Sequence, residues 1–366
     1  MNIVHTEASC GWGGQEMRIL SEAAGLISRG HQVRLLCPPE ARIFAEAARR
    51  GVPATALPIG RKNLKGMLAL RKWLSEMPAI DVINTHSSSD SWLAALACAT
   101  LTNPPPIVRT RHISAAVPKN FSTRWLYTRA TRHIVTAGEK LRQTLIEHNG
   151  YPPGNITSVP TGIAATSFFP GDKRDARRLL GLDESLHYIG IVATLRSWKG
   201  HLYLLEAFAG IEREGWQLLI VGDGPMRDVI EPKIAELGLG KSVILAGQQD
   251  EPERWLRALD IFCLPSYANE GVPQAVIQAM MTALPVITTP VGSITEAVEE
   301  GVSGVLVPPQ DAEALRAALI NLIDNPVQGQ ALGQAAKHAA VARFAESAML
   351  DSMEKIFRMV GQGTGE

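Results

Sequence analysis

The chain has 366 residues, of which 46% are hydrophobic and 20% charged, a balance that fits a globular protein and excludes a disordered or fibrous one. Its longest apolar stretch, Trp92 to Leu101, is about half the length a membrane span requires. Net charge is zero, but residues 1–165 hold 19 Lys and Arg against 10 Asp and Glu, whereas the remainder holds 17 against 26.

Taken in order, the chain alternates short strands with amphipathic helices, the pattern of parallel α/β sheets. Met1 runs directly into the strand-like NIV without a basic segment and an apolar segment, so no signal peptide is expected. Strands are predicted at Asn2–His5, Val33–Cys37, Ala54–Leu57, Val82–Thr85, Ile107–Thr110 and His133–Thr136. A second set is predicted at Tyr188–Val192, Gln217–Val221, Val243–Ala246, Ile261–Leu264, Val286–Thr288 and Gly304–Val307. Between the sets, residues 163–173 lose strand character and gather Gly and Pro, which places a domain boundary there. Each half thus reads as a doubly wound domain, with ligands expected at the carboxyl ends of its strands and in a cleft between the two. Cys10, Cys37, Cys98 and Cys263 are scattered and form no CxxC, which points to a reducing cytoplasm and no zinc site.

Several groups in the first half sit where such a domain carries chemistry. Gly13 and Gly14 follow the first strand and lead into a helix. The third glycine of a dinucleotide fingerprint is missing, which argues against a dehydrogenase; a plain tight turn is the alternative. His86 lies just past the fourth strand, as either a functional group or a structural histidine. The fifth strand ends in Arg109, Arg111 and His112, three groups able to carry positive charge, or else an ordinary surface strand end. Arg61 to Leu74 interleaves five basic residues with Leu64, Met67, Leu68, Trp73 and Leu74. That pattern suits either an anionic membrane surface, at about 1 kcal/mol per basic residue, or a solvated helix covering its own domain. The loop Ile113–Trp125 could extend such a surface around an acceptor. Low aromatic content, 5%, and no recognition motif leave an anionic membrane or a phosphorylated glycolipid favoured over nucleic acid.

The most informative stretch is Ile261 to Ala283. An apolar strand turns through Pro265, Ser266, Asn269, Glu270 and Gly271, and a helix opens at Pro273, a residue favoured at the first helical position. Counted from there, the N-cap is Val272, which has no side-chain oxygen for the free N–H groups. Water or an anion must serve them, and a helix N-terminus after a strand and a glycine turn is a phosphate site; an ordinary strand–helix crossover is the alternative. Arg196 and Lys199, three apart after another strand, can both reach one pyrophosphate, Arg as a fork and Lys as a point charge.

These motifs, in this order, resemble those of the retaining family 4 glycosyltransferases, and the resemblance runs through nearly the whole chain. The family's Glu-x7-Glu motif matches at Glu270, with Gln278 in the second place, where the charge is lost but hydrogen bonding to a ribose remains. The resemblance implies the GT-B fold, two facing Rossmann-like α/β domains. Residues 1–165 would bind the acceptor, 166–345 the nucleotide sugar, and the helix in 346–366 would cross back to the first domain. It further implies that Glu270 and His112 orient the donor sugar. Arg196, Lys199, Gly271, Val272 and Pro273 would hold the diphosphate, with Gly13 and Gly14 approaching it, or the acceptor, from the first domain. Arg196 replaces the family's usual Arg, whose place is taken by Thr194. Gly222, Gln248 and Gln278 would meet the nucleoside, and His86, Arg109 and Arg111 the acceptor. Glu296 would orient a helix. The implied reaction moves a sugar from a nucleoside diphosphate sugar to a hydroxyl of a glycan or lipid-linked acceptor with retention, without a metal or other cofactor. The setting implied is lipopolysaccharide or surface polysaccharide synthesis on the cytoplasmic side, as a peripheral membrane protein. A nucleotide-sugar 2-epimerase and a non-catalytic nucleotide-sugar-binding protein stay open.

Overall fold

The computed structural model describes every residue except Pro78, Ser114, Glu212 and 363–366. The chain divides into two compact units, one of Met1–Gly162 with Glu346–Glu366, the other of Ile163–Ala345.

The first unit holds β1 (Asn2–Thr6), β2 (Gln32–Cys37), β3 (Ala54–Ala56), β4 (Val82–Thr85), β5 (Ile107–Arg111), β6 (His133–Thr136) and β7 (Ile156–Ser158). They form a parallel sheet of order β3-β2-β1-β4-β5-β6-β7. β7 was not foreseen: three residues with two hydroxyls carry too little apolar pattern to announce a strand, and pairing with β6 supplies what the sequence lacks. Adjacent strand residues face opposite sides of the sheet. Ile3, Leu35, Val82, Val108 and Val135 join one core with Ile19 and Leu20 of the Gly14–Ser28 helix and Met353 and Phe357 of the Glu346–Gln362 helix. Val4, Leu36, Ile83, Ile107 and Ile134 join the other with Leu70, Leu74 and Leu93. Burying a side chain of this size contributes about 1.5–3 kcal/mol, so both faces are covered by helices, as a parallel sheet requires. The C-terminal helix is held at its solvent edge by Arg29, which reaches Asp351 at 2.7 Å and Glu354 at 3.1 Å.

The second unit holds β8 (His187–Val192), β9 (Trp216–Val221), β10 (Val243–Gly247), β11 (Ile261–Leu264), β12 (Val286–Thr288) and β13 (Val305–Leu306). The order is β10-β9-β8-β11-β12-β13, again with parallel pairing. The order reverses direction between β8 and β11, and the crevice outside their carboxyl ends is where such sheets bind ligands. Its core is one continuous cluster around Tyr188, Phe262, Val276 and Met280.

Two local expectations are corrected. The helix after β11 begins at Gln274, not Pro273: Pro273 is the N-cap, with extended backbone, and Val272 is a buried core residue. The segment before Trp125 is not all loop, since Phe121–Trp125 is helical, capped by Asn120, and continues as a π-helical turn over Leu126–Ala130. Among the described residues no helix is long and apolar enough to cross a membrane.

Candidate functional site

In the second unit, the ends of β8 and β11 are drawn together by backbone. After β8 the chain makes a short turn, Ser197–Lys199, and enters the His201–Ala209 helix through Gly200. Gly200 has φ +80°, and a Cβ there would lie 2.0 Å from the Pro265 carbonyl oxygen, so only glycine permits the approach. The Tyr267 N–H donates to the Trp198 carbonyl at 2.8 Å. These constraints bring Lys199 to Glu270, Nζ to Oε1 2.6 Å, although they are 71 residues apart. The Ser266 hydroxyl donates to the same oxygen at 2.7 Å, and Thr289 in turn donates its hydroxyl to the Ser266 carbonyl. Gly292, φ +60°, closes the other side: a Cβ would meet the Glu270 carbonyl oxygen at 2.1 Å.

Glu270 is 5% exposed. A carboxylate so placed needs its cation and hydroxyl partners, and both are charge-assisted hydrogen bonds. Lys199 keeps further N–H donors beyond the one given to Glu270. The Gln274–Met281 helix starts four residues after Glu270 without a side-chain cap, so its N-terminal dipole lies beside Gly271 in the chain.

The other positions expected in this unit fall at neighbouring strand ends. Gly222 follows β9 with φ +142°, and a Cβ would lie 2.0 Å from the Ala193 carbonyl oxygen. Its N–H donates to the Gly247 carbonyl at 2.8 Å, tying the exits of β9 and β10. Gln248 is exposed just after β10, and Gln278 is buried on the second turn of the helix. Arg196 is exposed, with its guanidinium carbon 5.8 Å from the centre of the Trp198 ring. It thus stacks on an aromatic face while Lys199 engages Glu270. Glu296 closes a short helical turn, Ile294–Glu296.

In the first unit, polar groups collect at the carboxyl ends of β1, β4 and β5. Gly13 is the N-cap of the Gly14–Ser28 helix. Gln15 donates its side-chain amide to Glu7, whose other carboxyl oxygen accepts the Ser9 N–H at 2.6 Å. Burial, then the charge of Asp90, pushes the Glu7 carboxyl up to about 8. Asp90 accepts the Thr6 hydroxyl at 2.7 Å, the His86 N–H at 2.8 Å and the Ser87 N–H at 2.8 Å. It therefore fixes the turn that carries His86.

His86 lies between two other imidazoles. Its Nε2 lies 2.9 Å from Nδ1 of His5, and its Nδ1 lies 3.0 Å from Nε2 of His112. Two ring–ring hydrogen bonds thus engage the nitrogens that were expected to serve an acceptor. Burial holds His5 down to about 3 and holds His86 and His112 well below the ordinary histidine range, with Arg18 adding to the shift of each. All three are neutral near pH 7.

The two arginines turn to the opposite face of β5. Arg109 is buried, with its guanidinium carbon 4.4 Å from the centre of the Tyr127 ring. Arg111 donates to the Tyr127 hydroxyl at 2.7 Å and to the Ala115 carbonyl at 2.6 Å. Packing against Tyr127 explains why neither is displayed as an open anion site: Arg111 holds the start of the following loop. His5, Glu7, Glu22, Asp90 and Gly292 went unforeseen, and Ser266 and Gly200 were legible only as members of the turns that carry Glu270 and Lys199. A polar residue at a strand's carboxyl end was the available signal for His5, Glu7 and Ser266.

Comparison with known proteins agrees with this architecture. The family model for "Glycosyltransferase Family 4" matches residues 12–166 and that for "Glycosyl transferases group 1" matches residues 172–339. The chain is 27% identical to the UDP-Gal:alpha-D-GlcNAc-diphosphoundecaprenol alpha-1,3-galactosyltransferase of Escherichia coli, over 73% of this chain and 72% of that one. It is 29% identical to the D-inositol 3-phosphate glycosyltransferase of Thermobispora bispora, over 96% and 92%. Among solved structures, a glycosyltransferase from Rickettsia africae superposes with TM-score 0.87 at 20% identity, covering 98% of each chain. Anabaena HepE, solved with UDP and glucose, superposes with TM-score 0.86 at 19% identity, covering 98% of this chain and 99% of that one. With two family models covering nearly all of both units in the expected order, the chain belongs to the group 1, family 4 glycosyltransferases and has their GT-B fold.

Proposed function

We propose that the protein transfers a sugar, with retention, from a nucleoside diphosphate sugar to a hydroxyl of a glycan or lipid-linked acceptor in surface polysaccharide synthesis. The observation that carries this reading is the Lys199–Glu270 pair at 2.6 Å, backed by Ser266 and set at the reversal of strand order. A point cation and a carboxylate held together serve two parts of one donor. Lys199 meets the diphosphate, joined by Arg196 and the helix N-terminus after Gly271, Val272 and Pro273. Glu270 accepts hydrogen bonds from the sugar. Gly222, Gln248 and Gln278 meet the nucleoside.

Departure of the diphosphate builds negative charge on its oxygens, and preorganised donors aimed there lower the barrier, each donor by about 3–4 kcal/mol. His112 meets a sugar hydroxyl as a neutral imidazole. The acceptor attacks from the face the diphosphate leaves, and a phosphate oxygen takes its proton. Charge stabilisation then rests on Lys199, Arg196 and the helix N-terminus, and turnover needs no divalent ion.

UDP is the first donor nucleotide to test, because the Escherichia coli relative is named for UDP-Gal and HepE was solved with UDP. A lipid-linked acceptor is supported by the same relative's name and by the surface of the Leu64–Glu76 helix. That helix buries Leu70 and Leu74 but leaves Leu64 and Leu68 exposed among Lys65 and Lys72. The deciding experiment is calorimetric titration with UDP, GDP and ADP, with and without chelator, on wild type and Lys199→Ala. One nucleotide binding in chelator, and at least about tenfold more weakly to the variant, supports the reading. No binding of any nucleotide overturns it.

A further inference from the structure

His5 on β1, His86 just past β4 and His112 just past β5 follow the same side of the sheet as Ile3, Val82 and Val108, two, four and four residues further along. β1 and β4 pair His5 with Asn84, and β4 and β5 pair Asn84 with Val108, so the imidazoles run diagonally toward the carboxyl ends. The ring centroids of His5 and His86 lie 5.2 Å apart with the planes 11° from parallel, and those of His86 and His112 lie 5.2 Å apart with the planes tilted by 30°. At the inner end, His5 Nε2 lies 4.0 Å from a carboxyl oxygen of Glu22 and makes no hydrogen bond. Asn84 donates to that same Glu22 oxygen at 3.2 Å, and Arg18 Nε lies 3.6 Å from its other oxygen. His5 and Glu22 are fully buried, whereas His112, at the outer end, is partly exposed.

We propose that Glu22, His5 and His86 act as a relay that fixes the tautomer of His112, placing its proton on Nε2 and presenting Nδ1 as an acceptor for a substrate hydroxyl. The inference rests on the reading that His112 meets substrate. Each neutral imidazole has one N–H and one lone pair, so the inner end decides the rest. Burial raises the Glu22 carboxyl while Arg18 and Asn84 hold it down, and a lone pair of His5 Nε2 facing its ionised form would be repelled, so Nε2 carries the proton and Nδ1 accepts. His86 must then donate from Nε2 and accept at Nδ1, and His112 must donate from Nε2. His112 Nδ1 is left as a lone pair at the partly exposed end. A buried carboxylate setting the tautomer of a histidine is the same physics that operates in a hydrolytic triad. His5 and His86 are therefore positioning residues.

The charged and titratable groups facing the row keep it neutral. Arg18 and Glu22 face it from the Gly14–Ser28 helix, Arg111 stands beside His112 on β5, and Asp90 holds the His86 N–H. Phe357 packs its edge on His5 from the C-terminal helix. Burial, with Arg18 along the row and Arg111 at His112, disfavours a positive charge on the rings, so protons are reoriented along the row and not stored on it.

The test is two-bond proton–nitrogen NMR of the wild type and Glu22→Gln, labelled at the nine histidines, near pH 7. The wild type is expected to show His5, His86 and His112 as Nε2–H tautomers. In Glu22→Gln, Arg18 draws the amide oxygen and turns the NH2 group toward His5 and Asn84, whose own amide flips to accept from it and to donate to the Thr110 hydroxyl, so the row reverses and His112 gains an Nδ1–H population. The kcat of Glu22→Gln is expected to fall about tenfold or more while KM for the donor stays within about twofold. An Nδ1–H or charged His112 in the wild type overturns the relay without any variant. So does an unchanged tautomer in Glu22→Gln. Reversal with unchanged kcat removes the link to chemistry. If His112→Ala leaves transfer intact while the tautomers behave as stated, the assignment of His112 to substrate fails and the relay does not.

Discussion

The two units solve one problem in different ways. In the second, charge is brought to a strand end by backbone: a Cβ on Gly200 or Gly292 would lie 2.0 or 2.1 Å from a carbonyl oxygen, so glycine alone permits these approaches, and Lys199 and Glu270 meet beside them. In the first, the polar groups lie on the sheet itself, where β1, β4 and β5 place three imidazoles in a row and Asp90 holds the turn around them. The first device makes a site of charges that pair with one another. The second makes a site of neutral groups whose protons are set by their neighbours. A charge change should therefore be costly in the second unit, and a change of protonation in the first.

The largest expected effect breaks the charged half. Lys199→Ala should lower kcat/KM by about 100–1000-fold, measured as nucleotide release from the preferred donor, with the fold retained. Next in size is Gly292→Ala. Its Cβ would strike the Glu270 carbonyl, at a φ that L-residues rarely adopt, costing about 1–3 kcal/mol of stability, read from urea unfolding, together with loss of donor binding.

The neutral half is sharpened by pH. Unfolded Glu7 releases its proton near 4.5, whereas in the fold it holds it to about 8. Between those values the native state binds more protons, so this group makes stability fall as pH rises. Glu7→Gln should remove that slope, a gain on the order of 2 kcal/mol near pH 8, read from urea unfolding across pH. The histidines act with the opposite sign. His5 has a folded value of about 3 against 6.5 unfolded, so the unfolded state takes up protons first and stability falls as pH drops below about 6.5. His5→Phe should flatten that acid limb. The smallest effect lies outside both sites: Lys65→Glu with Leu68→Glu should weaken co-sedimentation with anionic vesicles about tenfold while shifting stability by no more than about 0.5 kcal/mol.

The difference between the halves also explains what could be read in advance. Strands long enough to alternate or to run apolar, such as Ile261–Leu264, were legible, and so was the turn through Glu270, because its residues are contiguous. β7 was not, since its three residues acquire strand character only by pairing with β6. Lys199 and Glu270 could be named separately, but their pairing depends on Gly200 meeting Pro265, which no local pattern encodes. The histidine row was split among segments 81 and 26 residues apart. His86 and His112 were visible as polar strand ends. His5 is polar near the end of β1 too, but no local pattern ties it to His86, which without it looked free to meet an acceptor. Arg109 and Arg111 were read by charge, and Tyr127 decided their direction.

The most direct test of the central claim, that Lys199 serves the diphosphate and Glu270 the sugar, is calorimetric binding of UDP and of an intact UDP-sugar to Glu270→Gln. The account predicts that UDP binds the variant as tightly as the wild type or more tightly, since Lys199 is released from its carboxylate. It predicts that the UDP-sugar loses about tenfold or more in affinity. Equal weakening of both ligands, or of neither, would contradict the division of labour assigned to the pair.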